Sequence, residues 1–230
     1  MVKIVDLSVE LFLRAPSNPG QPPIIVGVWM THEESLKRPG RIQGNEVMYL
    51  SMSDHAGTHI DAPRHFNPQG PSIDKYPLEN CYVRAICLDF RHIPPRGEIG
   101  PAELERAVQA AGTGVPKGGS VLLCTGHHAR TYGKPAYFSE NSGVNVEGTE
   151  WIAKSGAAHF GIDCYRPSPE QNNLNDKVHK ACADLGITHI EGLCDLESLI
   201  GKGEFQFIGL PLKIRNGTGG PMRAVALIEE

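Results

Sequence analysis

An α/β fold is predicted for this 230-residue chain from three observations. The apolar runs are short and rich in β-branched residues, which favours strands. Three segments carry the start and stop residues of helices. Each of those segments is followed closely by an apolar run, the helix-to-strand rhythm of α/β packing.

Taken in chain order, residues 2–13 form the first candidate strand, and the Pro- and Gly-rich "APSNPGQPP" from Ala15 to Pro23 must be a loop. "EVMYLSM" (46–52) is the next strand, and "FNPQGPSIDKYP" (66–77) is a second loop. "VRAICLDF" (83–90) is a strand, and "GPAELERAVQAAG" a helix that begins with Pro in its first turn and stops at Gly112. "SVLLCTG" (120–126) is a strand, and "VEGTEWIAKSG" a helix ending on Gly156, ahead of the strand "AAHFGID" (157–163). "PEQNNLNDKVHKACADLG" places Leu174, Val178, Cys182 and Leu185 on one stripe and halts at Gly186. The strands "ITHIE" (187–191), "FQFIGLPL" (205–212) and "MRAVALIE" (222–229) complete the count at eight. With no internal repeat or long linker, residues 1–230 are expected to form one domain.

A net charge of −4 with scattered Lys and Arg gives no electrostatic reason to expect nucleic acid or an anionic membrane. No run approaches the roughly 18 apolar residues needed to span a bilayer. Lys3, Asp6 and Glu10 interrupt the apolar residues near the start, so no signal peptide is expected there. The six cysteines lie mostly in apolar segments and never as CxxC, which reads as reduced, buried thiols in a cytoplasmic protein.

Chemistry concentrates in "SDHAGTHIDAPRHF", residues 53–66. Its ligand types fall at 55, 59, 61 and 65, all odd, so in an extended chain His55, His59, Asp61 and His65 would share a face. A straight strand over that length would span about 33 Å at roughly 3.3 Å per residue, whereas ligands sit only about 2 Å from one ion. The segment must therefore bend. Gly57 allows a sharp turn and Pro63 stops any helix, so a curved segment is favoured over a helical HxxxH pair.

Imidazole and carboxylate together suit a divalent ion such as Zn or Mn. Asp54 points to the opposite side from His55 and reads as a supporting or capping residue. Spacing alone does not choose further ligands among His32, His92, His127, His128, His159, His179 and His189. His179, at the border of a buried stripe, and Glu191, a carboxylate ending an apolar strand, are the more interesting pair. Geometry leaves His65 open as a fourth ligand.

The pattern His-x-Gly-Thr-His-x-Asp-x-Pro-x-His, filled by His55, Gly57, Thr58, His59, Asp61, Pro63 and His65, resembles the signature of the cyclase family, which includes bacterial kynurenine formamidase and isatin hydrolase. "IVDLS", "VLLCTGHHARTYG", "AYFSENSGV", "FGID", "VHKACADLGITHIEGLCDL" and "FIGLPLKIRNGTGGPMRAVALI" resemble family segments in the expected order. The resemblance implies a swivelling β/β/α fold, a mixed sheet around a small β-barrel with flanking helices, commonly oligomeric as a dimer or tetramer. It implies that His55, His59 and Asp61 are metal ligands, that His179 and Glu191 complete the metal site, and that His65 is the proton donor and acceptor. Two segments depart from the family pattern: "GIDCYRPSPE" lacks a Ser-x-Asp-type element, and "TGHHAR" stands where a Trp is common.

The expected activity follows from those roles. A Zn or Mn site of one or two ions would acidify a bound water and polarise a carbonyl, with His65 passing the proton to a leaving nitrogen. That chemistry hydrolyses a C–N amide bond of a small aromatic substrate, an N-formyl or cyclic amide. The altered "GIDCYRPSPE" motivates a lactonase, cyclase or dehydratase as the alternative, and a non-catalytic metal-binding module is the third reading. Trp29, His127 and His128 read first as structural residues and second as substrate contacts, Arg130 could hold a substrate carboxylate, and Asp163 reads as structural.

Overall fold

The computed structural model describes residues 1–229. Its central feature is a ring of strands, and the ring is built by alternation. In β5 (Tyr82–Asp89) and β7 (Ser120–Cys124), Ala85, Cys87, Leu122 and Cys124 enter one apolar cluster, and Ile86, Leu88, Val121 and Leu123 enter another. Successive side chains point to opposite faces of a strand, so the first cluster fills the ring and the second meets the helices. Every residue of β7 is buried, as a strand covered on both faces requires.

The ring runs β12 (Gly219–Glu229), β11 (Glu204–Pro211), β5, β7, β9 (His159–Ile162), β10 (Thr188–Glu191) and β4 (His59–Asp61), and closes where β4 pairs β12. It is a closed seven-strand mixed barrel: β5, β7, β9 and β10 are parallel, and the remaining pairings are antiparallel. β12 serves two neighbours on one edge. Gly219 to Pro221 pair β4, and Val225 to Glu229 pair β1 (Val2–Asp6).

The expected helices are present as α2 (Pro101–Ala111), α4 (Val146–Lys154) and α5 (Leu174–Leu185). Pro101 opens α2 and Gly112 closes it in the left-handed region, at φ 66°. The Asn145 side chain caps α4 by accepting from the Gly148 N–H at 2.9 Å. Leu104, Ile152, Val178 and Cys182 bring these helices onto the outer cluster.

All eight expected strands form, with corrections. Residues 2–13 are not one strand, since β1 stops at Asp6. Leu7 turns its side chain into the barrel core, and the Val9 N–H is taken by Thr58 Oγ1 at 2.9 Å, so the chain leaves the sheet and crosses the His-rich segment. Outside the expectations lie β4, the strand β2 (Ile25–Met30), which pairs the expected β3 (Val47–Ser51), and the helix α1 (His32–Leu36) with its Thr31–Glu34 capping box. Short extra pieces, β6 (Glu98–Ile99), β8 (Gly143–Val144) and α3 (His127–Thr131), complete the list. No helix among the described residues is long and apolar enough to cross a membrane. The six cysteines carry free thiols, buried except for the half-buried Cys194.

Candidate metal centre

The centre is assembled on the outer face of the barrel at β4 and β10. Ile60 and Ile190 point inward to the barrel core. Their neighbours His59, Asp61, His189 and Glu191 must therefore point outward, toward α5. Glu191 stands opposite His59 in the β10–β4 register.

The predicted bend lies at Gly57, whose φ of +65° is a conformation that L side chains rarely adopt, and a Cβ there would meet Leu11 Cδ2 at 2.7 Å. This turn folds His55 back beside His59, with ring centroids 5.1 Å apart. Pro63 starts a short 3-10 turn, Pro63–His65, that returns His65 to within 4.0 Å of the His55 ring. His179 arrives from α5. The structure thus brings His55, His59, Asp61, His65, His179 and Glu191 to one place, all lining one cleft of about 160 Å³.

Their orientations are fixed from behind. His59 Nδ1 donates to the Gly57 carbonyl at 3.0 Å and His179 Nδ1 to the Asn175 carbonyl at 2.7 Å. Each ring thereby turns its Nε2 toward the carboxylates, the orientation of an imidazole ligand. His59 Nε2 lies 3.4 Å from Asp61 Oδ1 and 3.6 Å from Glu191 Oε2, and His179 Nε2 lies 3.6 Å from Asp61 Oδ2 and 3.8 Å from Glu191 Oε1.

Asp54 supports the loop as expected, its Oδ2 accepting from Thr218 N, Thr218 Oγ1 and Gly219 N. Thr218 Oγ1, having given its proton to Asp54, accepts from His55 Nε2 at 2.9 Å. His55 Nδ1 then faces Asp61 Oδ1, 2.8 Å away. A buried nitrogen and carboxylate oxygen this close share a cation, which is the place of a proton or of a metal ion. The donor set therefore fits a divalent ion of the Zn or Mn kind.

Electrostatics agree with the geometry. Burial alone would raise the Asp61 carboxyl, but His189, His179 and His55 around it hold it well below the usual carboxylate range. Burial would lower His59, and Asp61 with Glu191 raise it instead. His65, half-buried with Nε2 3.9 Å from Asp61 Oδ2, is pushed down to about 4, chiefly by burial. It is neutral at pH 7 and free to accept a proton.

Four expected substrate contacts fall elsewhere. Trp29 is 73 % exposed on the β2–β3 hairpin. His127 is buried in α3, its Nε2 on the Tyr137 carbonyl, and His128 stacks on Tyr132. Arg130 donates to the Thr125 carbonyl at 2.9 Å. None of the four lines the cleft, because each spends its polar or aromatic surface on the scaffold or on solvent. The cleft wall is made instead by Phe66, Tyr132, Tyr137, Tyr165, Arg166 and Asn175. Tyr132 Oη, Asn175 Oδ1 and Gln21 Oε1 are buried there without a hydrogen-bond partner in the protein. Asp163 is structural in placement: its Oδ1 accepts from Thr125 N and Oγ1, and burial first, then Glu197, raises it to about 6.

One of the histidines that spacing alone left unchosen also faces the carboxylates. His189 is 2 % exposed, with Nε2 3.1 Å from Glu191 Oε1 and 3.3 Å from Asp61 Oδ2. Its spacing of two from Glu191 on a strand, the same alternation that marked His55 to His65, was the available signal.

Solved structures with the same fold include isatin hydrolase A from Labrenzia aggregata bound to benzyl benzoate, at 23 % identity and a TM-score of 0.86 over 100 % of this chain and 94 % of that one. Isatin hydrolase A from Ralstonia solanacearum matches at 24 % identity and a TM-score of 0.83, covering 99 % and 92 %. A structure described as a potential metal-dependent hydrolase with cyclase activity matches at 20 % and 0.77 over 100 % of both chains. The family model described as "Putative cyclase" matches residues 5–169, well over half of the chain and including the whole His-rich segment. The chain belongs to the cyclase family.

Proposed function

We propose that this protein is a metal-dependent hydrolase that cleaves the C–N amide bond of a small aromatic substrate, an N-formyl or cyclic amide. The observation that carries this reading is the convergence of His55, His59, Asp61, His179 and Glu191 on one buried spot, with His65 at its rim. Those five side chains would hold the ion, Zn or Mn. Such an ion, when bound, polarises a carbonyl and acidifies a water.

The rest is the work of the chain. His65, neutral at pH 7, accepts the proton of the attacking water on its ring nitrogen and returns it to the leaving nitrogen. Phe66, Tyr137 and Tyr165 offer ring faces to a planar substrate, and Tyr132 Oη and Asn175 Oδ1 offer unspent polar atoms to orient it. The isatin hydrolase neighbours support an aromatic cyclic amide. The exposed apolar residues Val28, Trp29, Met48 and Leu50 on the hairpin, beside an apolar groove of about 850 Å³, support a homo-oligomer, a dimer or tetramer. The free thiols support a cytoplasmic setting.

Arg166, in the cleft wall within the segment that departs from the family pattern, favours a second reading in which the metal-activated carbonyl belongs to a lactone or undergoes cyclisation or dehydration. A panel of aryl formamides, isatin-like cyclic amides and lactones, run in oxygen-18 water with chelator-stripped and with Zn- or Mn-loaded protein, separates the two. Hydrolysis places the label in the carboxylate product. Turnover that persists in the stripped protein would overturn both readings.

A further inference from the structure

Arg130, open on sequence to the role of holding a substrate carboxylate, is spent on the Thr125 carbonyl. The cleft nevertheless has a guanidinium in its wall. Among the described residues that line it, Arg166 is the one lysine or arginine, and Asp61 and Glu191 are the two carboxylates. A divalent ion on that pair cancels both negative charges. The loaded cleft is then left with the positive charge of Arg166.

The loop that carries Arg166 is built to present it. Across residues 161–169 every residue is buried except Arg166. Pro167 biases Arg166 toward an extended backbone, and the Pro167 carbonyl is tied down by the Val144 N–H at 2.9 Å. The Ser168 carbonyl accepts from Asn141 Nδ2 at 2.8 Å, and the Tyr165 hydroxyl donates to the Phe138 carbonyl. The Arg166 guanidinium lies over the Tyr165 ring, 5.1 Å from its centroid, so a cation and an aromatic face stand together in the same wall. Its ion-pair partner, Glu170, has a side chain 65 % exposed against 19 % for Arg166. Pairing with so exposed a carboxylate is worth little. A guanidinium also carries five N–H donors in a planar fork, more than one carboxylate takes up.

We propose that Arg166 is a specificity-determining residue that binds a carboxylate carried by the substrate, which makes the substrate class a small aromatic amide with an anionic group away from the bond cleaved. This assignment rests on the reading of the cleft as a hydrolase site, and adds to it the charge of the substrate. The cleft measures about 160 Å³, so a compact substrate meets Arg166 and the metal-holding residues at once. A fork held in place before binding loses little freedom on capturing a planar carboxylate. The competing account makes Arg166 a strut that keeps the loop and Glu170 in place. Loss of a strut weakens every ligand, whereas loss of a receptor weakens only those that carry a carboxylate.

The test uses the full chain loaded with Zn²⁺. Formanilide and its 2-, 3- and 4-carboxylates are the probes for turnover, and aniline and the three aminobenzoates are the probes for binding by calorimetry. Wild type favours at least one acid over its neutral parent in both readouts. Arg166→Gln reduces that preference about 10–100-fold, the range of a charge-assisted hydrogen-bonded pair, and does so in KM rather than kcat. Arg166→Lys keeps the charge without the fork and recovers part of the preference. Glu170→Gln removes the competing carboxylate and strengthens the preference, a gain that a misfolded variant does not give. A wild type that binds no aminobenzoate more tightly than aniline overturns the proposal, as does an Arg166→Gln protein that weakens acids and neutral parents alike or leaves the acids untouched. Because binding is read without turnover, a protein that cleaves no anilide yet loses aminobenzoate affinity in Arg166→Gln counts against the amide hydrolase alone. Hydrolysis with no dependence of the acids on Arg166 counts against the carboxylate receptor alone.

Discussion

Asp61 and Glu191 share histidines rather than pairing with each other. Asp61 Oδ1 and Glu191 Oε2 both face His59, at 3.4 and 3.6 Å, and Asp61 Oδ2 and Glu191 Oε1 both face His179, at 3.6 and 3.8 Å. Asp61 also takes His55 at 2.8 Å, so it stands within 4 Å of every histidine of the centre. Asp61→Asn keeps the shape but removes the charge that those histidines surround. We expect it to weaken Zn²⁺ binding by more than the ~10–100-fold typical of outer-shell changes, and by more than Glu191→Gln does. Competition against a fluorescent chelator measures both.

On the proposed function His65 moves protons and does not hold the ion, although its ring nitrogen lies close enough to His55 and Asp61 to join them on one. His65→Ala should retain the metal content of wild type and lose about 10²–10⁴-fold in kcat, the usual contribution of a general acid–base. His59→Ala should lose metal and turnover together. A drop in bound metal in His65→Ala, equal to its drop in rate, would identify His65 as a ligand instead.

Tyr132 Oη is buried at the cleft wall with no partner in the protein. If substrate satisfies it, Tyr132→Phe raises KM by roughly fivefold, the worth of one hydrogen bond of about 1 kcal/mol, and leaves the melting temperature unchanged or higher. An unchanged KM would assign the hydroxyl no part in recognition.

Asp163 gives a pH signature of its own. Its carboxyl is raised from 3.8 to about 6 by burial, against the two Thr125 hydrogen bonds. The folded state therefore binds this proton more tightly than the unfolded state. The resulting stabilisation is complete below pH 4 and is lost as pH rises through 6, a swing of about 3 kcal/mol at ~1.4 kcal/mol per unit. Asp163→Asn escapes that loss. In urea unfolding it should exceed wild type at pH 8 by up to about 3 kcal/mol, and the gap should shrink toward pH 4.

The hairpin exposes Val28, Trp29, Met48 and Leu50 at 50 %, 73 %, 56 % and 51 %. Leu50→Lys leaves every barrel contact in place and should shift the protein toward monomer in sedimentation velocity, with an unchanged far-UV spectrum. A monomeric wild type would end the oligomer reading.

Much of this was legible in the sequence because it is local. Strand alternation, Gly112, Gly156 and Gly186 as helix stops, and Gly57 and Pro63 as bends all act within a few residues. The ring was not legible. β4 has three residues, too few for periodicity to register, and its partner β12 lies far along the chain. The same distance hides the cleft wall, because Tyr132, Tyr165 and Asn175 read locally as ordinary loop and helix residues. His189 was readable by alternation with Glu191, but only once β10 was known to turn that face outward rather than into the barrel.

The seam between β4 and β12 carries a kinetic consequence. Asp54 grips Thr218 and Gly219 across 164 residues of sequence, and the same strand pair sets His59 and Asp61 in place. Closing so long a loop is entropically slow, so this seam belongs among the late events of folding. The parallel strands and their helices, which are closer in sequence, are therefore expected to form first, with competence to capture the ion waiting for the carboxyl-terminal strand. Refolding followed at once by tryptophan fluorescence and by Zn²⁺ uptake should show uptake as the slower phase.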